Sequence, residues 1–209
     1  MIVYIPIKQN SQRVPEKNFR EFKGKPLWEH TVDKLKDHDV FIDTDSSNIL
    51  DKCLLKPWVK CFARSERLVG DEISVIDLLK DFVKRFKIQK PICQIHVTSP
   101  LLDVNHINFV EHKIKEGFDS IFSVDAVQKR FWRKEAYGLC PVNHNPIKLE
   151  QTQDLPELYC ENSYLYAFNP EVLEMHNRIG KNPYMLKIGF PYNLDIDTEE
   201  DWQLVNTII

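Results

Sequence analysis

The sequence contains no apolar run approaching the length that spans a bilayer, and its first residues do not follow the charged, apolar and small-residue order of a secretion signal. The expectation is a cytoplasmic protein with no membrane partner. An excess of positive charge is missing too: 28 Lys and Arg face 31 Asp and Glu, a formal net charge of −3. No global field therefore recruits nucleic acid, and basic side chains must act locally. Cysteine is sparse and unpatterned. Cys53, Cys61, Cys93, Cys140 and Cys160 are odd in number and include no Cys-x-x-Cys, which argues for free thiols over a disulfide framework or zinc ribbon. His30, His38, His96, His106, His112, His144 and His176 form no His-x-x-x-His pair, against a histidine metal site. Internal repeats, low-complexity runs and linkers are likewise missing, so residues 1–209, at 43% hydrophobic, are expected to form one domain around one substantial core.

What is present alternates. Met1 to Ile7 is almost wholly apolar and reads as a buried strand; Leu27 to Leu35 reads as a helix, Val40 to Ile42 as a strand, and Asn48 to Leu55 as a short helix. Trp58 to Ala63 follows as a strand. Glu72 to Phe86 carries the clearest helical period, with Ile73, Ile76, Leu79, Phe82, Val83 and Phe86 on one face. Pro91 to Val97 is a strand, Val104 to Lys115 a helix and Ser120 to Val124 a strand; Ser163 to Phe168 adds another strand, Pro170 to His176 a short helix and Asp201 to Ile208 a closing helix. The alternation predicts an α/β fold with a mostly parallel sheet. Ligands of such sheets sit beyond the carboxyl ends of the strands, where the polar segments after Ile7, Ile42 and Val97 fall. Residues 126–160 break the rhythm and read as irregular.

The loop after the first strand supplies Lys8, Arg13 and Lys17 as cations, Ser11 as a hydroxyl donor, and backbone amides that Pro15 keeps out of helical geometry. That is the chemistry of a phosphate grip, although a solvated basic loop between strand and helix would look the same. Asp195 and Asp197 stand two apart, so an extended segment projects both to one side, as shared ligation of a divalent cation needs; Asp43 and Asp45 share the spacing. Thr198 to Asp201 suits a helix N-terminus. From local pattern alone, Arg64 is as well suited to a surface ion pair, Asn162 to a turn, and Thr98 and Ser99 to closing a turn before Pro100.

In chain order, Ile5-Pro6-Ile7-Lys8, Asn10-Ser11-Gln12, Lys17-Asn18, Gly24-Lys25-Pro26-Leu27, Asp43-Thr44-Asp45-Ser46, Arg64 with Asp71, Thr98-Ser99-Pro100-Leu101, Gln153-Asp154-Leu155-Pro156 with Glu161-Asn162, and Asp195-Ile196-Asp197-Thr198 resemble the motifs of the cytidylyltransferases that make CMP-sugar acids, in particular the CMP-sialic acid synthetase group. The resemblance covers essentially the whole chain. It implies a three-layer Rossmann-like nucleotidyltransferase fold whose residues 126–160 form a dimerisation arm. It also implies transfer of CMP from CTP to a sialic-acid-like nonulosonate or related 2-keto sugar acid, dependence on Mg²⁺, and a homodimer. By the same resemblance Lys8, Gln12, Arg13, Lys17 and Asp197 are catalytic; Asn10, Ser11, Asn18, Arg64, His96, Thr98, Ser99, Gln153 and Asn162 bind substrate; Asp195 and Asp197 hold the metal. The chain departs from the group at Gln12, where a cation is usual and the adjacent Arg13 can reach instead. It departs also at His96-Val97, Leu102 and Ser163, in place of Gln-Pro, Arg and Gly. A nucleotide-sugar-dependent glycosyltransferase and a non-catalytic nucleotide-binding relative are the alternatives.

Overall fold

A computed structural model describes residues 1–11 and 13–208. The chain runs β1 (Ile2–Ile7), β2 (Glu21–Phe22), β3 (Lys25–Pro26), α1 (Leu27–Val32), β4 (Asp39–Thr44), α2 (Ser47–Cys53), β5 (Val59–Ala63), α3 (Val75–Phe86), β6 (Ile92–Ile95) and α4 (Val104–Lys115). It continues through β7 (Ser120–Val127), β8 (Trp132–Glu135), β9 (Gly138–Pro141), β10 (Leu158–Phe168), β11 (Pro183–Lys187) and α5 (Glu199–Ile208). Seven strands form one sheet in the order β11-β7-β10-β6-β1-β4-β5. β10 runs antiparallel to both its neighbours, and the other pairs are parallel. The expected α/β fold with a mostly parallel sheet is what the chain adopts.

The near-continuous apolar β1 follows from burial on both faces. Val3, Ile5 and Ile7 point into a core completed by Trp28, Ile107 and Val110, whereas Ile2 and Tyr4 alternate into a second core with Leu78, Leu79 and Phe82. Each of these side chains contributes about 1.5–3 kcal/mol on burial. A third cluster joins Phe22, Leu27, Ile196, Trp202 and Val205 and docks α5 beside the start of α1. That docking carries the segment just before α5 across to the loop after β1.

Two expectations are corrected and a third, the short helix from Pro170, is refined. α3 begins at Val75, not Glu72, because Ser74 caps it: the Ser74 side chain accepts from Asp77 N at 3.2 Å and donates to the Asp77 carboxylate at 2.7 Å. Residues 126–160 are not irregular throughout: β7 extends to Val127, β10 starts at Leu158 beside it, and β8 pairs with β9 as a hairpin. The segment from Pro170 to Met175 is a 3-10 helix, with proline at its first turn.

Candidate active site

The carboxyl ends of β1, β5 and β6 converge on a cavity of about 380 Å³ lined by Lys8, Asn10, Ser11, Arg13, Lys17, Asn18, Arg64, His96 and Thr98, with Ile73, Val75 and Leu78 as an apolar wall; the segment after β4 does not line it. A volume of this order accommodates a small-molecule ligand. Nine of the residues named from sequence therefore meet here. Gln12 lies outside the described residues.

The loop after β1 is held from several sides. Asn18 donates to the Lys8 carbonyl at 3.0 Å, and the Gln9 amide donates to the Asp45 carboxylate at 2.6 Å, which gives Asp45 a structural part. Lys8 reaches Asp71 at 3.3 Å. Lys17, almost buried, donates to the Ile196 carbonyl and lies 3.3 Å from the Asp197 carboxylate, on which Arg13 also rests at 2.8 Å. Ile196 is fully buried between two partly exposed aspartates, and its amide donates to the Thr98 carbonyl at 2.9 Å. The apolar side chain is the anchor, so Asp195 and Asp197 are turned away from the core. Asp201 then accepts from the Asp197 amide at 3.0 Å and the Thr198 amide at 2.8 Å, while Thr198 Oγ1 accepts from the Asp201 amide at 3.2 Å. Thr198 to Asp201 cap α5 as expected, and that cap fixes the end of the acidic segment.

Arg64 is not a surface partner. Its side chain is 1% exposed and that of Asp43 4%. Arg64 Nε donates to the Asp43 carboxylate at 2.8 Å, and Tyr4 donates its hydroxyl to the other oxygen at 2.6 Å. Burial first, and the Asp43 charge second, push the Tyr4 phenol well above its ordinary pKa, so it stays a donor.

Asp195 and Asp197 do not line the cavity, although Asp197 is tied to its lining residues Arg13 and Lys17, and three further named residues lie apart from it. Ser99 is buried and its carbonyl accepts from the Leu102 amide at 3.1 Å, closing a turn. Asn162 donates to Asp125 at 3.0 Å, where Asn193 also donates at 2.9 Å. Gln153 is exposed in a 3-10 turn of the 126–160 region, away from the cavity of its own chain. The sequence reading also missed two residues beside the site. Gln94, fully buried, contacts His96 at 3.0 Å and accepts from Arg178 at 2.9 Å. Arg178 lies 84 positions further along the chain, and no local pattern marks it.

A polar, cation-rich cavity at the carboxyl edge of a mostly parallel sheet is the architecture of the α/β nucleotidyltransferases. The solved CMP:2-keto-3-deoxy-manno-octonic acid synthetase complexed with CTP shares the fold at a TM-score of 0.69, with 13% identity over 99% of this chain and 97% of that one. A solved 4-diphosphocytidyl-2C-methyl-D-erythritol synthase shares it at 0.67 and 12% identity, over 99% of this chain and 97% of the other. The chain belongs to the cytidylyltransferase family, whose model matches residues 2–208. It is 31% identical over 201 residues to N-acylneuraminate cytidylyltransferase A of Danio rerio, covering 92% of this chain and 46% of that protein. It is 28% identical to the CMP-N,N'-diacetyllegionaminic acid synthase of Legionella pneumophila, covering 100% of this chain and 96% of the relative. The chain spans about half the length of the N-acylneuraminate relatives it matches, 46% of the Danio rerio protein and 51% of one from Streptococcus agalactiae. Among the described residues, no helix is long and apolar enough to cross a membrane.

Proposed function

We propose that the protein transfers CMP from CTP to a 2-keto sugar acid of the sialic-acid-like nonulosonate type and releases pyrophosphate. The observation that carries this reading is the junction of Arg13 and Lys17 with Asp197, which brings the basic loop and the acidic segment together at one cavity. In the reaction a sugar hydroxyl oxygen bonds to the α-phosphorus as the bond to the bridging oxygen breaks, pyrophosphate leaves and the hydroxyl proton passes to water. Both reactants are anions, so Lys8, Arg13 and Lys17 offset charge before they can meet. Arg13, with its side chain 68% exposed, is placed to exchange Asp197 for phosphate oxygens when CTP enters.

The residues fit a divalent cation. Asp195 Oδ1 is buried without a hydrogen-bond partner, and leaving such an acceptor unpaired costs about 1–3 kcal/mol, a demand that a cation meets. Among the described residues no group of three or more His, Cys, Asp or Glu gathers as a metal cage. Two carboxylates completed by water and substrate oxygens suit Mg²⁺. Asp195 and Asp197 would hold it, and when bound it supplies neutralisation of triphosphate charge.

The 126–160 region supports a homodimer on this reading, with the cytoplasm, where CTP is available, as its setting. Tyr137 is fully exposed, Ile147 95%, Leu149 87%, Leu139 68% and Trp132 51% exposed. A two-fold contact would bury such a patch from both subunits. Leu155 and Phe131 belong less to that patch: Leu155 is 2% exposed, and Phe131 is half-buried. Pyrophosphate release from CTP, with Mg²⁺ and a panel of sialic, legionaminic and pseudaminic acids, tests the assignment. Release with one of the acids and not with neutral sugars is expected; a chain that binds CTP yet releases none with any acid would overturn it.

A further inference from the structure

The chain of hydrogen bonds from Arg178 through Gln94 to His96 decides which nitrogen of His96 carries its proton. An arginine guanidinium only donates. Arg178 Nη1 faces the Gln94 amide at 2.9 Å, so the atom it meets must be the carbonyl oxygen, and the amide nitrogen is thereby turned to His96 Nε2 at 3.0 Å. That nitrogen donates, so Nε2 must accept, and the proton of a neutral imidazole is left on Nδ1. Protonating the ring would set two donors against each other. Burial, aided by the nearby Arg178 and Lys17 charges and opposed by Asp195 and Asp197, also draws the imidazole below its ordinary pKa.

Arg178 is itself held in place. Its guanidinium lies 3.5 Å from the centroid of the Tyr166 ring. The loop that carries it is pinned by Asp119, which accepts from the Lys181 amide at 2.7 Å and the Asn182 amide at 2.9 Å, and by Ser120 Oγ, which accepts from the Gly180 amide at 2.7 Å. A Cβ at Gly180 would stand 2.4 Å from the Asp119 carboxyl, so only glycine lets the loop close on it.

We infer that Gln94 and Arg178 are positioning residues that hold His96 as a neutral imidazole protonated on Nδ1, so that His96 meets an oxygen of the bound substrate as a hydrogen-bond donor. The inference rests on reading the cavity as the substrate site. It assigns His96 no part as a base through Nε2.

The test is nitrogen NMR of the ¹⁵N-histidine-labelled full chain, with steady-state kinetics beside it. The native protein should show an unprotonated, hydrogen-bond-accepting Nε2 on His96. Arg178→Met should give mixed tautomers and Gln94→Glu should move the proton to Nε2, each raising KM for CTP or the acid about tenfold with little change in kcat, and Arg178→Lys should restore the native tautomer. A native Nε2–H signature, or a tautomer unmoved in both Arg178→Met and Gln94→Glu, overturns the relay. Tautomers that move while both KM values stay native overturn the donor role. The spectra need no turnover, so a chain inactive towards every acid would refute the proposed reaction and leave the relay decided separately.

Discussion

Arg64→Met should be among the most damaging single substitutions in this chain. The native guanidinium neutralises Asp43 in a place that water does not reach, with side-chain exposures of 1% and 4%, and also donates to the Asp43 carbonyl at 3.1 Å. After the change Asp43 keeps only the Tyr4 hydroxyl, and a buried carboxylate without its counter-charge costs about 3–5 kcal/mol. For a chain of this size each kcal/mol moves the melting temperature by about 2–4 °C, so the drop should be of the order of 10 °C. The assay is urea and thermal denaturation of the native protein, Arg64→Met, Asp43→Leu and the double variant. Replacing both charges removes the unpaired ion, so the double variant should lose far less than the sum of the singles. A loss below about 1 kcal/mol in Arg64→Met, or strict additivity, would refute the argument and return Arg64 to a dispensable surface pair.

Asp195→Ala and Asp197→Ala should each abolish pyrophosphate release at saturating Mg²⁺ without lowering the melting temperature appreciably, since neither carboxylate packs in a core; near-native turnover in both would refute the metal role. Arg13→Ala should weaken CTP binding about ten- to a hundredfold by calorimetry, the worth of a charge-assisted contact; unchanged affinity would place Arg13 elsewhere. Trp132→Asp should shift the solution mass by light scattering towards a monomer and lower activity with it, whereas a native protein that is monomeric at every concentration would exclude the interface. Although burial opposes its ionisation, the Asn182 and Lys181 amides and the Ser120 hydroxyl hold the Asp119 carboxyl below its usual range. Its stabilisation is therefore complete above about pH 4 and fades as pH falls through the lower native value. The stability gap between the native protein and Asp119→Asn, about 1–2 kcal/mol at pH 7, should close on acidification, and a gap independent of pH would refute the assignment.

The parts legible in the sequence are those whose physics is local. β1, β4 and β6 announce themselves because burial on both faces demands apolar runs, and the basic loop is one contiguous segment. β8 escaped notice because all of Trp132, Arg133, Lys134 and Glu135 are exposed, so no alternation records which way each side chain points. β11 is an edge strand in which Leu186 alone is buried, too little for a pattern. The burial of Arg64, which removes the surface ion-pair alternative, was hidden for a related reason: it depends on Asp43 and Tyr4, which lie on other strands. Ser163, one of the departures from the CMP-sialic acid synthetase pattern, holds φ at +58°, which shows why glycine suits the position, and its hydroxyl meets the Tyr166 hydroxyl at 3.4 Å, a contact glycine could not make.

The Ile196 anchor also sets how this chain can change length. In the run from Asp195 to Asp197 the residue facing the core is the middle one, so inserting or deleting a single residue there would send a carboxylate into the apolar pocket and an isoleucine to the side where Asp197 meets Arg13 and Lys17. From Asn145 to Leu149, beyond the buried Asn143, every residue is exposed and the same edit moves nothing buried. Length variation among functional descendants of this sequence should therefore collect in that stretch and spare the residues around 196, a signature that deep insertion and deletion libraries would reveal without any knowledge of the substrate.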